Sequence, residues 1–163
     1  MSRFEFGAYR RLRRYSALIV VALLVGCNGE EPDKGPASAS ISGYNHTEDY
    51  IHRFFIDGSW GGNVFAYSGG GGFVCCINYP REWRPGLTAT VRWSTSSSIP
   101  DGPPGVTWHE LVVPIEYYDK LGSRLNVHFL PGHTVRLLIW NGSADSKGYR
   151  GPAAPIKPAD WPY

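Results

Sequence analysis

Leu87-Thr88-Ala89-Thr90-Val91-Arg92-Trp93-Ser94 alternates apolar and polar side chains without a break. In an extended strand successive side chains point to opposite faces. The stretch therefore predicts a strand that buries Leu87, Ala89, Val91 and Trp93 and turns Thr88, Thr90, Arg92 and Ser94 outward. Downstream, Leu125, Val127 and Phe129 alternate with Asn126 and His128, and after Pro131-Gly132 the period resumes at Val135, Leu137 and Ile139. That pair predicts a hairpin. Further strands are predicted near residues 39–45, 50–56, 73–78 and 106–115, with Gly, Pro, Asn and Ser between them. No window of eleven or more residues beyond the N-terminal segment sustains a helical period. The expectation is an all-β domain, an antiparallel β-sandwich of about seven strands.

The N-terminus has a different character. Arg3, Arg10, Arg11, Arg13 and Arg14 precede the apolar run Ala17 to Val25, the charge-then-apolar layout of a secretory signal. The run is shorter than the roughly 20 residues of a membrane-spanning helix. It ends in Leu24-Val25-Gly26-Cys27, which resembles the lipobox of bacterial lipoproteins, where a small residue precedes the cysteine that is acylated. The residues around Arg13-Arg14 match a twin-arginine motif poorly. Cys27 is thus the expected lipidation site, and the membrane is an expected partner through its acyl chains. Residue 28 is Asn, not the Asp that in enteric bacteria usually retains a lipoprotein in the inner membrane. The expected address is the outer membrane, lipid-anchored on its periplasmic face.

These signals divide the chain into a signal peptide (residues 1–26), a lipidated flexible tether (27–40), a sandwich domain (41–150) and a Pro-rich C-terminal tail (151–163). Pro32 and Pro36 with small polar residues mark the tether. Pro152, Pro155, Pro158 and Pro162 exclude regular helix from the tail, which should lie extended on the body or hang loose. Five of the sixteen basic residues and one of the fourteen acidic ones precede Cys27, so the formal +2 of the whole chain becomes −2 after cleavage. Neither that balance nor any local run supplies the basic stripe that a nucleic-acid partner demands.

Several blocks stand out together: Gly43-Tyr44-Asn45-His46-Thr47, Gly58-Ser59-Trp60-Gly61-Gly62-Asn63, Gly69-Gly70-Gly71-Gly72-Phe73-Val74-Cys75-Cys76, and Trp83-Arg84-Pro85-Gly86 with Val91-Arg92-Trp93. They resemble a family of uncharacterised Gram-negative lipoproteins over roughly residues 41 to 140. The resemblance implies a neighbourhood of type VI secretion components, notably phospholipase-type effectors, and some such lipoproteins are regarded as immunity proteins. It implies no catalytic residues. Two functional expectations follow: a binding module that neutralises a secreted effector by protein-protein contact, or a structural or assembly lipoprotein of the envelope or secretion apparatus. A small periplasmic enzyme is a third reading, and the sequence displays no His/Asp or His/Cys constellation for it. The protein is expected not to be an enzyme.

With Cys27 assigned to lipid, Cys75 and Cys76 remain. As strand neighbours their sulfurs would point apart, giving two buried thiols. A sharp backbone turn would instead allow a vicinal disulfide, the form suited to an oxidising compartment. Redox, metal or intermolecular roles complete the alternatives. The histidines His46, His52, His109, His128 and His133 show no metal-ligand spacing, so no metal or cofactor is expected. His46 stands apart from the others because Glu48 and Asp49 follow it closely. No G-x-S-x-G elbow is present, and Gly69 to Gly72 lacks the Lys-Ser/Thr ending of a phosphate loop. That run reads as a turn needing positive φ. Trp60, Tyr79, Arg81, Trp83 and Arg84 fall in or beside turns and make a candidate partner-binding surface, since aromatic rings and arginine dominate binding hot spots. The opposing reading packs them beneath the loops.

Overall fold

The computed structural model describes residues 35–99 and 102–161. Cys27, the signal segment and most of the tether lie outside the described residues. Nine strands follow one another: β1 (Ala37–Asn45), β2 (Tyr50–Ile56), β3 (Ser59–Val64), β4 (Ser68–Gly69), β5 (Val74–Tyr79), β6 (Thr88–Ser96), β7 (Thr107–Pro114), β8 (Arg124–Leu130) and β9 (Thr134–Trp140). The described residues contain no helix, and the domain is a β-sandwich of two sheets. All seven predicted strands are present. The two unpredicted ones, β3 and β4, are rich in glycine and serine.

In the first sheet β1 is central. On one side β5 pairs with its beginning, from Ala37↔Tyr79 to Ile41↔Val74, and β4 pairs with its end at Tyr44↔Gly69. On the other side lies β8, followed by β9. The second sheet runs β3-β2-β6-β7. The strand pairs are antiparallel, as expected of the sandwich, except that β1 and β8 run parallel from Ser40↔Arg124 to Asn45↔Phe129. Parallel neighbours need a crossover rather than a tight turn, and here the whole second sheet is inserted between them. The predicted hairpin is β8–β9, closed by Pro131-Gly132-His133 with Gly132 and His133 at positive φ.

The strand predicted at Leu87–Ser94 follows its alternation through Trp93, with Ala89, Val91 and Trp93 buried, but Ser94, expected to face outward, is buried too. Ala89, Val91 and Trp93 face Ile41, Leu125, Val127, Phe129 and Leu137 of the first sheet in one apolar core. Phe129 meets Phe54 edge-on at 5.2 Å and Trp93 at 5.6 Å, joining the two layers. The Phe54 ring occupies space that Gly43 on β1 and Gly61 on β3 leave open, because a Cβ at either position would collide with it. Glycine in those blocks is a packing requirement.

One boundary moves. β1 begins at Ala37, so the last four residues assigned to the tether are strand, two of them buried. The C-terminal tail lies on the body where Trp161 meets Tyr67 edge-on at 4.9 Å. On the outer face of the first sheet Ser42, Tyr44, Asn126 and His128 are buried, hydrogen-bonded to Gly72, Ala144, Gly142 and Tyr149 respectively. The alternation of β8 had assigned Asn126 and His128 to solvent.

Candidate functional site

Asymmetry between the two sheets defines the candidate surfaces. The middle of the first sheet is buried on its outer face as well, at Ser42, Tyr44, Asn126 and His128, whereas Cys75, Cys76 and Asn78 on β5 are exposed. The second is bare outside: Phe55, Arg92 and Glu110 stand side by side across β2, β6 and β7, flanked by Trp60 on β3 and Trp108 on β7. The Arg92 guanidinium lies 4.3 Å from the Trp108 ring centre, Arg53 lies 5.9 Å from it, and Phe55 stacks beside it. Exposure is 53% for Trp60, 44% for Trp108 and 69% for Val112. A stacked guanidinium is held flat against its ring, so the cluster is ordered before any partner arrives.

The predicted partner surface is brought together only in part. Trp83 and Arg84 stay beside Tyr117 and Tyr118: Trp83 donates Nε1–H to the Ile115 carbonyl at 2.9 Å and meets Tyr117 edge-on at 5.4 Å. Arg81 and Arg84 are exposed in the same segment. Tyr79 is a correction. It is 2% exposed, donates its hydroxyl to the Gly122 carbonyl at 2.7 Å and accepts the Gly122 N–H at 2.9 Å, so it is core and presents nothing to a partner. Burial raises its pKa. Trp60 is separated from the others: it stands on β3, one edge of the second sheet, whereas Trp83 bonds the residue following β7, the other edge. Sequence reading missed Arg53, Arg92 and Trp108. The outward phase of Arg92 on β6 was the signal that could have found them.

Cys75 and Cys76 are joined by a disulfide across a cis peptide bond, and both are exposed. The reading of two buried thiols on opposite faces is overturned. The glycine run before them turns as expected, with Gly69 and Gly70 at positive φ and packed against Gly43 and Tyr44.

A second feature was invisible in the sequence. His128 stacks on Tyr44 at 4.5 Å, Nδ1 lies 2.9 Å from His46 Nε2, and Nε2 lies 2.6 Å from the Tyr149 hydroxyl. Burial, then the charges of His46 and Arg136, pull His128 down to about 3, so it is neutral in ordinary buffers. A neutral imidazole donates through one nitrogen and accepts through the other, so the chain Tyr149–His128–His46 has a direction. Burial also lowers His46 and raises Tyr149. His46 opens on a cavity of about 300 Å³ lined also by Glu48, Asp49, Tyr67 and His133. Beside it His109 stacks on Trp93, lies 4.6 Å from His133, and shares a hydrogen bond of 2.9 Å with Thr95. Among the described residues no carboxylate hydrogen-bonds a histidine, so no imidazole here is oriented as triad chemistry requires. Nor do three His, Cys, Asp or Glu side chains gather as metal ligands among the described residues.

Residues 44–137, more than half of the chain, match the family described as protein of unknown function (DUF3304). The chain belongs to that family. The matched span opens at Tyr44, inside β1, and closes at Leu137, inside β9. The family therefore includes the bare second sheet and both of its edges. Tyr149, which closes over His128, lies beyond it. No curated protein and no solved structure matches the chain.

Proposed function

We propose that this protein is a binding module which engages a protein partner through the outer face of its second sheet. The single observation carrying this reading is the uncovered cluster of Arg53, Phe55, Trp60, Arg92 and Trp108, set against a first sheet whose middle is buried on both sides. Exposed aromatic and arginine side chains on a rigid sheet are the composition from which binding hot spots are built. A stable complex buries about 1,200 to 2,000 Å² in total, an area such a face and its rim can supply.

In the cell, the reading is a lipoprotein anchored through Cys27 in the outer membrane, facing the periplasm. There it neutralises a phospholipase-type effector of type VI secretion by occluding it. The lipobox-like Leu24-Val25-Gly26-Cys27 and the sequence blocks of the family support this address and role. Anchoring places the inhibitor on the surface such an effector attacks. The test is co-expression with the effector encoded beside it, directed to the periplasm, followed by pull-down. Rescue of growth together with a recovered complex is expected. Toxicity that persists with correctly localised protein and no complex refutes the role. Loss of secretion on deletion, without self-intoxication, would instead mark an assembly lipoprotein.

A further inference from the structure

The two ends of the sandwich differ in chemistry. Ala37, where the chain enters β1, pairs with Tyr79. The segment after Tyr79 packs on the loop between β7 and β8: the Tyr118 hydroxyl donates to the Pro80 carbonyl at 2.6 Å, and Trp83 holds Ile115 and Tyr117. Trp140 closes the same end, opposite Arg124. Between them opens a cleft of about 490 Å³ walled by Tyr117, Leu121 and Trp140 and rimmed by Lys120, Lys147 and Arg150.

Charge at this end runs against the rest of the mature chain. Burial raises the pKa values of Tyr79 and Tyr118, and the nearby charges of Arg81 and Arg84 respectively oppose that rise. With Lys120, Lys147 and Arg150 these arginines make five cations against Glu82, Asp119 and Asp145. Asp119 is engaged by Arg150 at 3.4 Å, and Glu116 is spent on Arg136 at 2.6 Å. Among the described residues no carboxylate pairs with Lys120 or Lys147. The opposite end carries Glu48, Asp49 and the histidine cavity instead.

Geometry supplies the occupant. Nine residues, 28–36, separate Cys27 from Ala37. Even fully extended they reach only about 30 Å, close to the length of β1 itself at roughly 3.3 Å per residue. Connectivity alone therefore keeps the Ala37 end within about 30 Å of residue 27. Basic residues beside a bilayer are drawn to anionic headgroups, and tryptophan and tyrosine settle at the headgroup level. We propose that the Ala37 end is a docking surface for anionic phospholipid, with Arg84, Lys120 and Lys147 on headgroup phosphates and Trp83, Tyr117 and Trp140 at the interface. This rests on the anchored reading of Cys27 and adds an orientation to it: the domain sits on the membrane, and the Arg92–Trp108 face stands beside it, accessible to a partner.

The test uses the purified full-length product reconstituted into vesicles of phosphatidylcholine or of phosphatidylglycerol, with acylation of Cys27 read by intact mass. Lysine acetylation by a water-soluble reagent is mapped by peptide mass spectrometry. Several-fold protection of Lys120 and Lys147 in phosphatidylglycerol alone, reversed by salt, is expected. Lys120→Gln, which removes one charge, should lower partition of the unacylated chain about fivefold. Equal labelling in both lipids, on protein whose acyl mass is confirmed, overturns the docking surface and leaves the anchor intact. A missing acyl mass overturns the anchor. Docking is then decided by co-sedimentation of the same chain: retention on phosphatidylglycerol supports it, and equal or absent retention on both lipids overturns it.

Discussion

The Tyr149 hydroxyl lies 2.6 Å from Nε2 of His128, so the segment that follows β9 completes the hydrogen bonding of a histidine in the middle of the first sheet. The residues between Trp140 and the Pro-rich tail are therefore part of the fold.

Acid should loosen this arrangement. His128 titrates near 6.5 when unfolded and is held down to about 3 when folded. Below pH 6.5 the unfolded chain takes up a proton that the folded chain refuses. Stability is full above 6.5 and falls toward pH 3, by up to about 1.4 kcal/mol per pH unit for this one group. His46 and His109, also lowered, add in the same direction. Urea midpoints across this range should show the slope, and His128→Gln should flatten it. An unchanged slope in that variant contradicts the assignment.

Partner binding should depend on the Arg92–Trp108 stack. Trp108→Ala is expected to weaken the complex by about 2 kcal/mol or more, roughly thirtyfold, with little change in thermal stability because the ring is half exposed. Calorimetry with the partner recovered by pull-down and a melting curve separate the two effects. Full affinity in Trp108→Ala and Arg92→Ala would move the interface elsewhere.

Tyr79 should behave as core. Tyr79→Phe strands both backbone groups of Gly122 that its hydroxyl satisfies, at a cost of about 1 to 3 kcal/mol. The measured affinity for a partner should not change. A variant of native stability with weakened binding would restore Tyr79 to the surface.

Gly61→Ala drives a methyl group into the Phe54 ring and should destabilise the domain by about 1 to 3 kcal/mol. Gly71→Ala meets nothing within 4 Å and should stay within about 0.5 kcal/mol of the parent. Equal melting temperatures for the two variants would contradict the packing.

The Cys75–Cys76 pair is exposed, so a water-soluble reductant reaches it. Maleimide should label neither sulfur in denaturant before reduction and both afterwards. Labelling without reduction contradicts the pairing.

Much of the architecture was legible because strands leave a local imprint. Leu87 to Ser94 and the β8–β9 pair carry a strict period of two, and each pairs where that period requires. β3 was missed because Gly61 and Gly62 erase the alternation, the first of them to make room for a ring on β2. Outward-facing Asn126 and His128 on β8 were misassigned for a different reason. What buries them arrives from residues 144–149, and no periodicity within a strand reports on a cover supplied from elsewhere. The same holds for the histidine chain, whose two imidazoles, His46 and His128, are 82 positions apart. The candidate face failed at Tyr79 because turn-flanking aromatics look alike in sequence whether or not a backbone pair waits for the hydroxyl.

The central place of β1 also bears on mechanics. Tension transmitted along residues preceding Ala37 enters at the tip of a strand bonded on both flanks, to β5 and β4 on one side and β8 on the other. Pulled lengthwise, such a strand loads its hydrogen bonds together in shear, whereas an edge strand pulled sideways peels one bond at a time. A load applied lengthwise at Ala37 is thus shared across both flanks of β1 before the core is opened.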